Sequence, residues 1–267
     1  MYESFFGFKE KPFNLTPDPA FLFLSRKHEE ALSHLSYGIT ERKGFIEITG
    51  EIGAGKSTLC RALLSRLGET IKTAYLLNSN ITSDMQLLHS VIDDLGIKPA
   101  GKNKMAVLKA LNKFLLDVNL AGHNVVLIID EAQNLRPKLL EQIRMLSNLE
   151  TDKEKLLQII LVGQPELKDI LRSPNLAQLN QRITVRYHVS PLDRAETENY
   201  IKHRLNVAGA NGNVHFEEPA LESVFNFSKG IPRLINAVCD KALLLAFVRE
   251  SMRISHDMVS IAAEEVQ

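Results

Sequence analysis

Apolar residues along this chain fall into two kinds of stretch. Five runs are nearly continuous: GFIEIT (44–49), KTAYLLN (72–78), NVVLIIDEAQ (124–133), LLQIILVG (156–163) and TVRYHV (184–189). Each is short enough for a strand and too unbroken for one half-exposed face. Between them the apolar positions recur at helical spacing. Ser25 is placed to cap a helix to about Arg42 with Leu32, Leu35 and Ile39 on one face. Further helices are predicted from the glycine turn to about Leu67, at about 83–95 before Gly96, at about 103–120 before Gly122, and at about 137–150 with Leu139, Ile143, Leu146 and Leu149. Wholly apolar strands alternating with helices predict an α/β domain: a five-stranded parallel sheet covered on both faces.

The pattern changes after Pro191. Asp193 and Glu196 have the spacing of a capping box and open a helix to about Ala208. Helical stretches follow at about 218–228, 232–249 and 256–266. The expectation is an α/β domain over 1–190 and a small all-helical domain over 191–267. The first 24 residues are aromatic- and proline-rich and read as an extended segment packed on a larger body, with Phe8, Phe13 and Phe23 as core packing.

Composition narrows the classes. With 267 residues and 45% hydrophobic content, a sizeable core is within reach. Lys and Arg total 32 and Asp and Glu total 32, so no bulk basic charge points to nucleic acid, which is not expected as a partner. Cys60 and Cys239 are far apart without metal-ligand spacing and read as buried small hydrophobes in a reducing compartment. No apolar run approaches the roughly 18 residues of a membrane span, and MYESFFGFKEKPF has no signal-peptide core, so the chain as given is expected to be cytoplasmic.

The chemistry concentrates in the turn after the first strand, ITGEIGAGKSTL. Gly50, Gly55, Lys56 and Ser57 satisfy G-x-x-x-x-G-K-[ST], between a strand and a helix as that motif requires. Glycines, including Gly53, let successive backbone N–H groups of Gly50, Gly53, Ala54, Gly55, Lys56, Ser57 and Thr58 converge on a triphosphate at a helix amino terminus. Lys56 supplies charge for the β- and γ-phosphates, and the Ser57 hydroxyl suits Mg²⁺. VVLIIDEAQ adds Asp130, placed to hold the magnesium shell, and Glu131, placed to polarise a water. Gln164 follows the next strand and can reach between those carboxylates and a γ-phosphate. Arg182 and Arg186 in LNQRITVRYHV can each serve a neighbouring subunit's γ-phosphate, and Arg233 in GIPRLIN can approach phosphate from the helical domain. ATP and Mg²⁺ are the expected ligands. His28, in SRKHEEAL, reads as a histidine on a helix surface.

Together these residues resemble the AAA+ ATPases along the whole chain. Within that class, FFGFKEKPFNLTPDPAFLFLS followed by HEEAL, GEIGAGKSTL, DEAQNL, LVGQPEL, LNQRI and GIPRLIN is similar to the ExeA/GspA group of general secretion ATPases, and to the related MshM-type and exosortase-locus ATPases. The resemblance implies that Lys56 and Ser57 belong to Walker A, Asp130 and Glu131 to Walker B, Gln164 to sensor 1, Arg182 to the arginine finger and Arg233 to sensor 2. It implies a homo-oligomer, a parent anchored to the inner membrane, an inner-membrane partner of the GspB type, and peptidoglycan contact only through regions that this sequence does not contain. Two other readings compete with a motor or switch for secretin assembly. One is a DNA-associated ATPase of the transposition-helper or initiator type, which would favour a basic stripe. The other is a nucleotide-dependent binding module, which would favour loss of Glu131 or of the finger.

Overall fold

The computed structural model describes residues 2–14, 18–77, 81–152, 154–210 and 212–266. In chain order, α1 (Tyr2–Phe6) and α2 (Arg26–Thr40) precede β1 (Phe45–Gly50) and α3 (Lys56–Arg66). Then come β2 (Ile71–Leu77), α4 (Asp84–Asp94), α5 (Lys104–Leu120), β3 (Asn124–Asp130) and α6 (Pro137–Leu146). They are followed by β4 (Gln158–Gly163), α7 (Glu166–Arg172), α8 (Ala177–Arg182) and β5 (Ile183–Val189). The remainder is α9 (Arg194–Val207), β6 (His215–Phe216), α10 (Glu218–Ser228), α11 (Pro232–Val248), β7 (Arg253–Ile254) and α12 (His256–Val266).

The backbone packs as two units. The first comprises Glu29–Gly50 and Leu59–Val189. Its five strands run parallel in the order β2-β3-β4-β1-β5. Alternate residues of each strand face opposite sides. Leu127, Ile129, Ile159 and Leu161 join Leu88, Val91, Leu111, Leu115 and Ile143 of the helices in one buried cluster. Ile46, Ile128 and Ile160 are buried on the opposite face. Helix ends follow the local chemistry. Ser83 caps α4 through a capping box with Gln86, Asn103 caps α5, and Gly96 and Gly122 lie just beyond the carboxyl ends of those helices.

The second unit comprises Met1–His28, Glu51–Thr58 and Ser190–Gln267. The Asp193–Glu196 capping box forms as the sequence reading expects. α9 to α12 enclose a core that takes in Phe6, Phe8 and Phe13 from the amino-terminal segment, with Phe23 packed at its margin against Tyr200. The segment expected to be extended departs from that expectation: Tyr2–Phe6 is helical and Pro19–Phe21 is a 3₁₀ turn. The helical turn stacks Tyr2 and Phe6 on one buried face with a rise of about 6 Å between them, where an extended backbone would set them about 13 Å apart. Residues 15–17 of that segment, and Asn78 at the end of the expected second strand, lie outside the described residues.

Arg204 of α9 fastens the amino-terminal segment. Its Nε donates to the Pro12 carbonyl at 2.6 Å, its Nη2 donates to the Asn14 carbonyl at 3.1 Å, and its guanidinium lies 4.5 Å from the centre of the Phe21 ring. The side chain is buried, so these carbonyls lose their donor if it is removed. Arg204→Met keeps much of the apolar stem and deletes the donors. It should lower stability by about 1–3 kcal/mol in denaturant titration, and it should make the first 28 residues the earliest site of limited proteolysis.

Candidate functional site

In the sheet unit, the polar residues collect where strands end. Asp130 closes β3 and is fully buried. Its Oδ2 accepts the Tyr75 hydroxyl at 2.6 Å and its Oδ1 accepts the Glu131 N–H at 2.9 Å. That second bond goes with a left-handed Glu131 backbone at φ 52°, which turns the chain into a 3₁₀ turn over Ala132–Asn134. Because β4 lies beside β3, the residue after β4 arrives next to this turn. Gln164 donates from Nε2 to Glu131 Oε2 at 3.2 Å. Gln133 donates to the same oxygen at 2.6 Å and accepts the Gln164 backbone N–H at 3.0 Å. The structure thus brings Asp130, Glu131 and Gln164 together. Tyr75 and Gln133 join them, and sequence reading passed over both. The only available signal for Gln133 was its place two residues after the acidic pair.

The two candidate arginines lie elsewhere in this unit. Arg182 ends α8 immediately before β5. All five strands are parallel, so that position is at the amino edge of the sheet, opposite the edge that carries Asp130 and Gln164. Its Nη1 donates to Ser147 Oγ at 2.8 Å and to Asn148 Oδ1 at 2.6 Å. Arg186, within β5, pairs with the buried Glu47 carboxylate of β1 and donates to the Asn180 carbonyl at 2.8 Å.

The phosphate-type turn, Glu51–Thr58, belongs to the other unit. There Lys56 is buried and donates from Nζ to the Glu51 carbonyl at 2.9 Å. Gly53 has φ 80°, and a Cβ on it would stand 2.5 Å from the Arg233 Cβ, so only glycine fits both the backbone and the approach. The Arg233 N–H donates to the Gly53 carbonyl at 3.3 Å. Pro232 takes the first position of α11, and Arg233 follows with an exposed side chain. The Gly53, Ala54, Gly55, Lys56, Ser57 and Thr58 peptides therefore share one unit with Arg233.

His28 corrects an expectation. It is not a surface histidine: its exposure is 5%. A carbonyl can only accept, so Nε2 carries the hydrogen given to the Ala54 carbonyl at 3.3 Å, and Nδ1 accepts the Ser25 hydroxyl at 2.8 Å. Ser25 is tied to the same histidine by the N-cap, since its Oγ also accepts the His28 N–H at 3.4 Å. The ring thus braces the middle of the glycine turn. Burial pushes the imidazole below the ordinary histidine range. The Ala54 carbonyl and Glu196 pull it back up, and Lys27 adds to the depression.

As to metal chemistry, no group of three or more His, Cys, Asp or Glu among the described residues could hold an ion by itself. Mg²⁺ does not need such a group, since it takes one or two protein oxygens and completes its shell with phosphate and water. Each unit offers an oxygen donor of that kind, Asp130 in the sheet unit and Ser57 in the other.

Residues 39–171 match the AAA domain family. Over its full length the chain is 46% identical to general secretion pathway protein A of Aeromonas hydrophila, and it spans 48% of that relative's length. Among solved structures, it is similar to the ORC2 protein of Aeropyrum pernix in its ADPNP–ADP complexes, at 19% identity and TM-score 0.73, covering 97% of this chain and 72% of that one. The Holliday junction branch migration motor RuvB of Thermotoga maritima aligns at 19% identity and TM-score 0.58, over 88% of this chain and 68% of that one.

The buried imidazole gives a test. Its folded-state pKa lies below the unfolded value, so the folded chain binds this proton less readily than the unfolded chain. Its neutral form therefore contributes fully above about pH 6.5, and stability falls as the pH drops below that value. His203, also depressed, by burial first and then by Arg204, adds in the same direction. Denaturant midpoints at pH 7.5 and 5.5 should separate less in His28→Gln than in the parent, with a further narrowing in the double variant with His203→Gln. An unchanged separation in both would show that acid sensitivity arises from other groups.

Proposed function

We propose, because this chain belongs to the AAA family and within it to the general secretion pathway protein A group, that it binds MgATP and hydrolyses it to ADP and phosphate. The observation that carries this reading is the convergence of Glu131 and Gln164, 3.2 Å apart at the ends of neighbouring strands, beside the buried Asp130. A candidate base and a candidate γ-phosphate sensor in direct contact suit hydrolysis better than simple binding. In this reading residues 1–190 are the nucleotide-binding domain and 191–267 the lid.

The residues divide the work. Backbone N–H groups of Gly50, Gly53, Ala54, Gly55, Lys56, Ser57 and Thr58 hold phosphate oxygens, and Lys56 adds a positive charge. Ser57 and Asp130 hold Mg²⁺, which neutralises charge on the phosphates when bound. Glu131 orients a water and accepts its proton. Gln164 donates toward the γ-phosphate, and Arg233 gives the lid a cation responsive to the same group. Arg182 lies at the sheet edge opposite Asp130; in this reading it serves the site of a second copy within a homo-oligomer. Arg186 is already committed to Glu47 and Asn180.

The relative's name supports a setting in general secretion; the finer reading, an ATPase on the cytoplasmic side of the inner membrane that supports assembly of an envelope complex such as a secretin through a partner of the GspB type, is what the sequence resemblance implies. No helix of the described residues is long and apolar enough to cross a membrane. The chain spans 48% of its relative's length, and in this reading anchorage and peptidoglycan contact belong to a longer parent. The DNA-associated reading rests on folds shared at 19% identity and gains nothing from a chain whose acidic and basic residues balance at 32 each.

Nucleotide titration and steady-state turnover test the assignment. Lys56→Ala should lose most of its ATP affinity. Glu131→Gln should bind ATP as the parent does and turn over about 10²–10⁴-fold more slowly. Parent-like affinity in the first, or parent-like turnover in the second, would remove that residue from the site.

The trans arrangement has its own signature. Turnover per subunit should rise with protein concentration. Mixing inactive Arg182→Ala and Glu131→Gln subunits should restore part of the activity, because one interface in the mixture pairs an intact base with an intact arginine. Concentration-independent turnover without rescue would point to a self-sufficient monomer.

A further inference from the structure

We propose that Gln133 is a positioning residue that locks the candidate base to the candidate sensor. This deepens the hydrolytic reading above and rests on it. The side-chain amide of Gln133 is used at both ends. Its Nε2 donates to Glu131 Oε2 at 2.6 Å, and its Oε1 accepts the Gln164 backbone N–H at 3.0 Å. Gln164 closes the ring by donating from its own Nε2 to the same Glu131 oxygen at 3.2 Å. Two glutamines, one following each of two neighbouring strands, thereby hold one carboxylate oxygen from two directions.

The backbone and the packing both serve this ring. The left-handed Glu131 and the 3₁₀ turn over Ala132–Asn134 swing Gln133 back toward β4. At the end of β4, a Cβ on Gly163 would stand 2.7 Å from Gln133 Oε1, so the absence of a side chain there leaves the space that the amide carbonyl fills. A residue with only a donor or only an acceptor could hold Glu131 or Gln164, but not both. The amide offers both, a donor on nitrogen and an acceptor on oxygen, in one rigid plane. Fixing one carboxylate oxygen sets the direction of the other, which is what a base acting on a single water requires.

The test uses the full chain, with steady-state ATP hydrolysis, ATP titration and thermal unfolding measured on each variant. Gln133→Met fills similar space without the donor or acceptor. Gln133→Glu keeps an acceptor for the Gln164 N–H and replaces the donor to Glu131 with a repelling oxygen. Both should lower kcat by about ten- to a hundredfold, with ATP affinity within about twofold of the parent, since Gln133 is assigned no phosphate contact. Unfolding midpoints near the parent's would exclude a folding defect, and should one variant not fold, the other gives the same reading. Parent-like kcat overturns the inference. So does a raised kcat, which would mean that the ring restrains Glu131 instead of aiming it, and so does an equal loss of affinity and rate. Glu131→Gln, measured alongside, separates the two levels. If it is inactive while both Gln133 variants are normal, only the positioning role fails. If it turns over like the parent, the hydrolytic assignment of Glu131 fails first.

Discussion

The sheet unit is organised around one constraint: a carboxylate carried at the end of a strand that is otherwise wholly apolar. β3 is buried from Val125 onward, and its last residue, Asp130, is as inaccessible as the isoleucines before it. An acidic group in that setting is strongly destabilising unless donors replace the water it has lost. Tyr75 and the Glu131 N–H do so, one on each oxygen. The consequences propagate along the chain. Supplying the Glu131 N–H goes with a left-handed residue, and the left-handed residue starts a tight turn. The turn delivers Gln133 to β4, and Gln133 meets Gln164. What looks like a cluster of independent polar residues is a sequence of local requirements that begins with burying Asp130.

The second unit shows the same economy around a peptide. Gly53 lies close to the start of α11, where Ile231 Cγ2 would be 3.2 Å from a Cβ and Arg233 Cβ nearer still. The Arg233 N–H, one of the donors that a helix start leaves without an intrahelical partner, is given to the Gly53 carbonyl. His28 holds the next carbonyl, that of Ala54. Two successive peptides of the glycine turn are therefore fixed by residues distant in sequence. Under the proposed function, phosphate arriving at this turn is registered at once by the amino end of a lid helix.

Much of this was legible in the sequence, because the signals were local. Largely apolar runs marked the five strands of the larger sheet, and Ser83, Asn103 and Asp193 marked helix starts through bonds to residues three positions away. The elements missed were those without such signals. α7 and α8 are only 7 and 6 residues long, too short to display a helical period. The side-chain partnerships were less accessible still. Tyr75 reaches Asp130 because β2 pairs with β3 in the register that sets Leu77 beside Asp130, and one step of register would turn Tyr75 to the other face. His28 was misread by its residue type, although it stands at the helical spacing of Ala31, Leu32, Leu35 and Ile39, which are buried as it is. Its partner, the Ala54 carbonyl, is a backbone atom 26 residues away that leaves no trace in the side-chain pattern.

Parallel topology also decides which residues one sheet can bring together. In such a sheet every strand ends at the same edge, so Gly50, Asp130 and Gln164 are gathered there by connectivity. Residues that precede a strand are sent to the other edge by the same rule. Arg182 precedes β5, and a strand of 7 residues at about 3.3 Å per residue separates the two edges by roughly 20 Å. An extended arginine side chain does not cover that distance, and the contacts to Ser147 and Asn148 hold this one at its own edge. If Arg182 acts on phosphate, it acts on a phosphate bound elsewhere. Under the proposed function the separation has a chemical use: Arg182 reaches the charge that develops in hydrolysis when a second copy brings its amino edge to the carboxyl edge of the first, so turnover reports assembly.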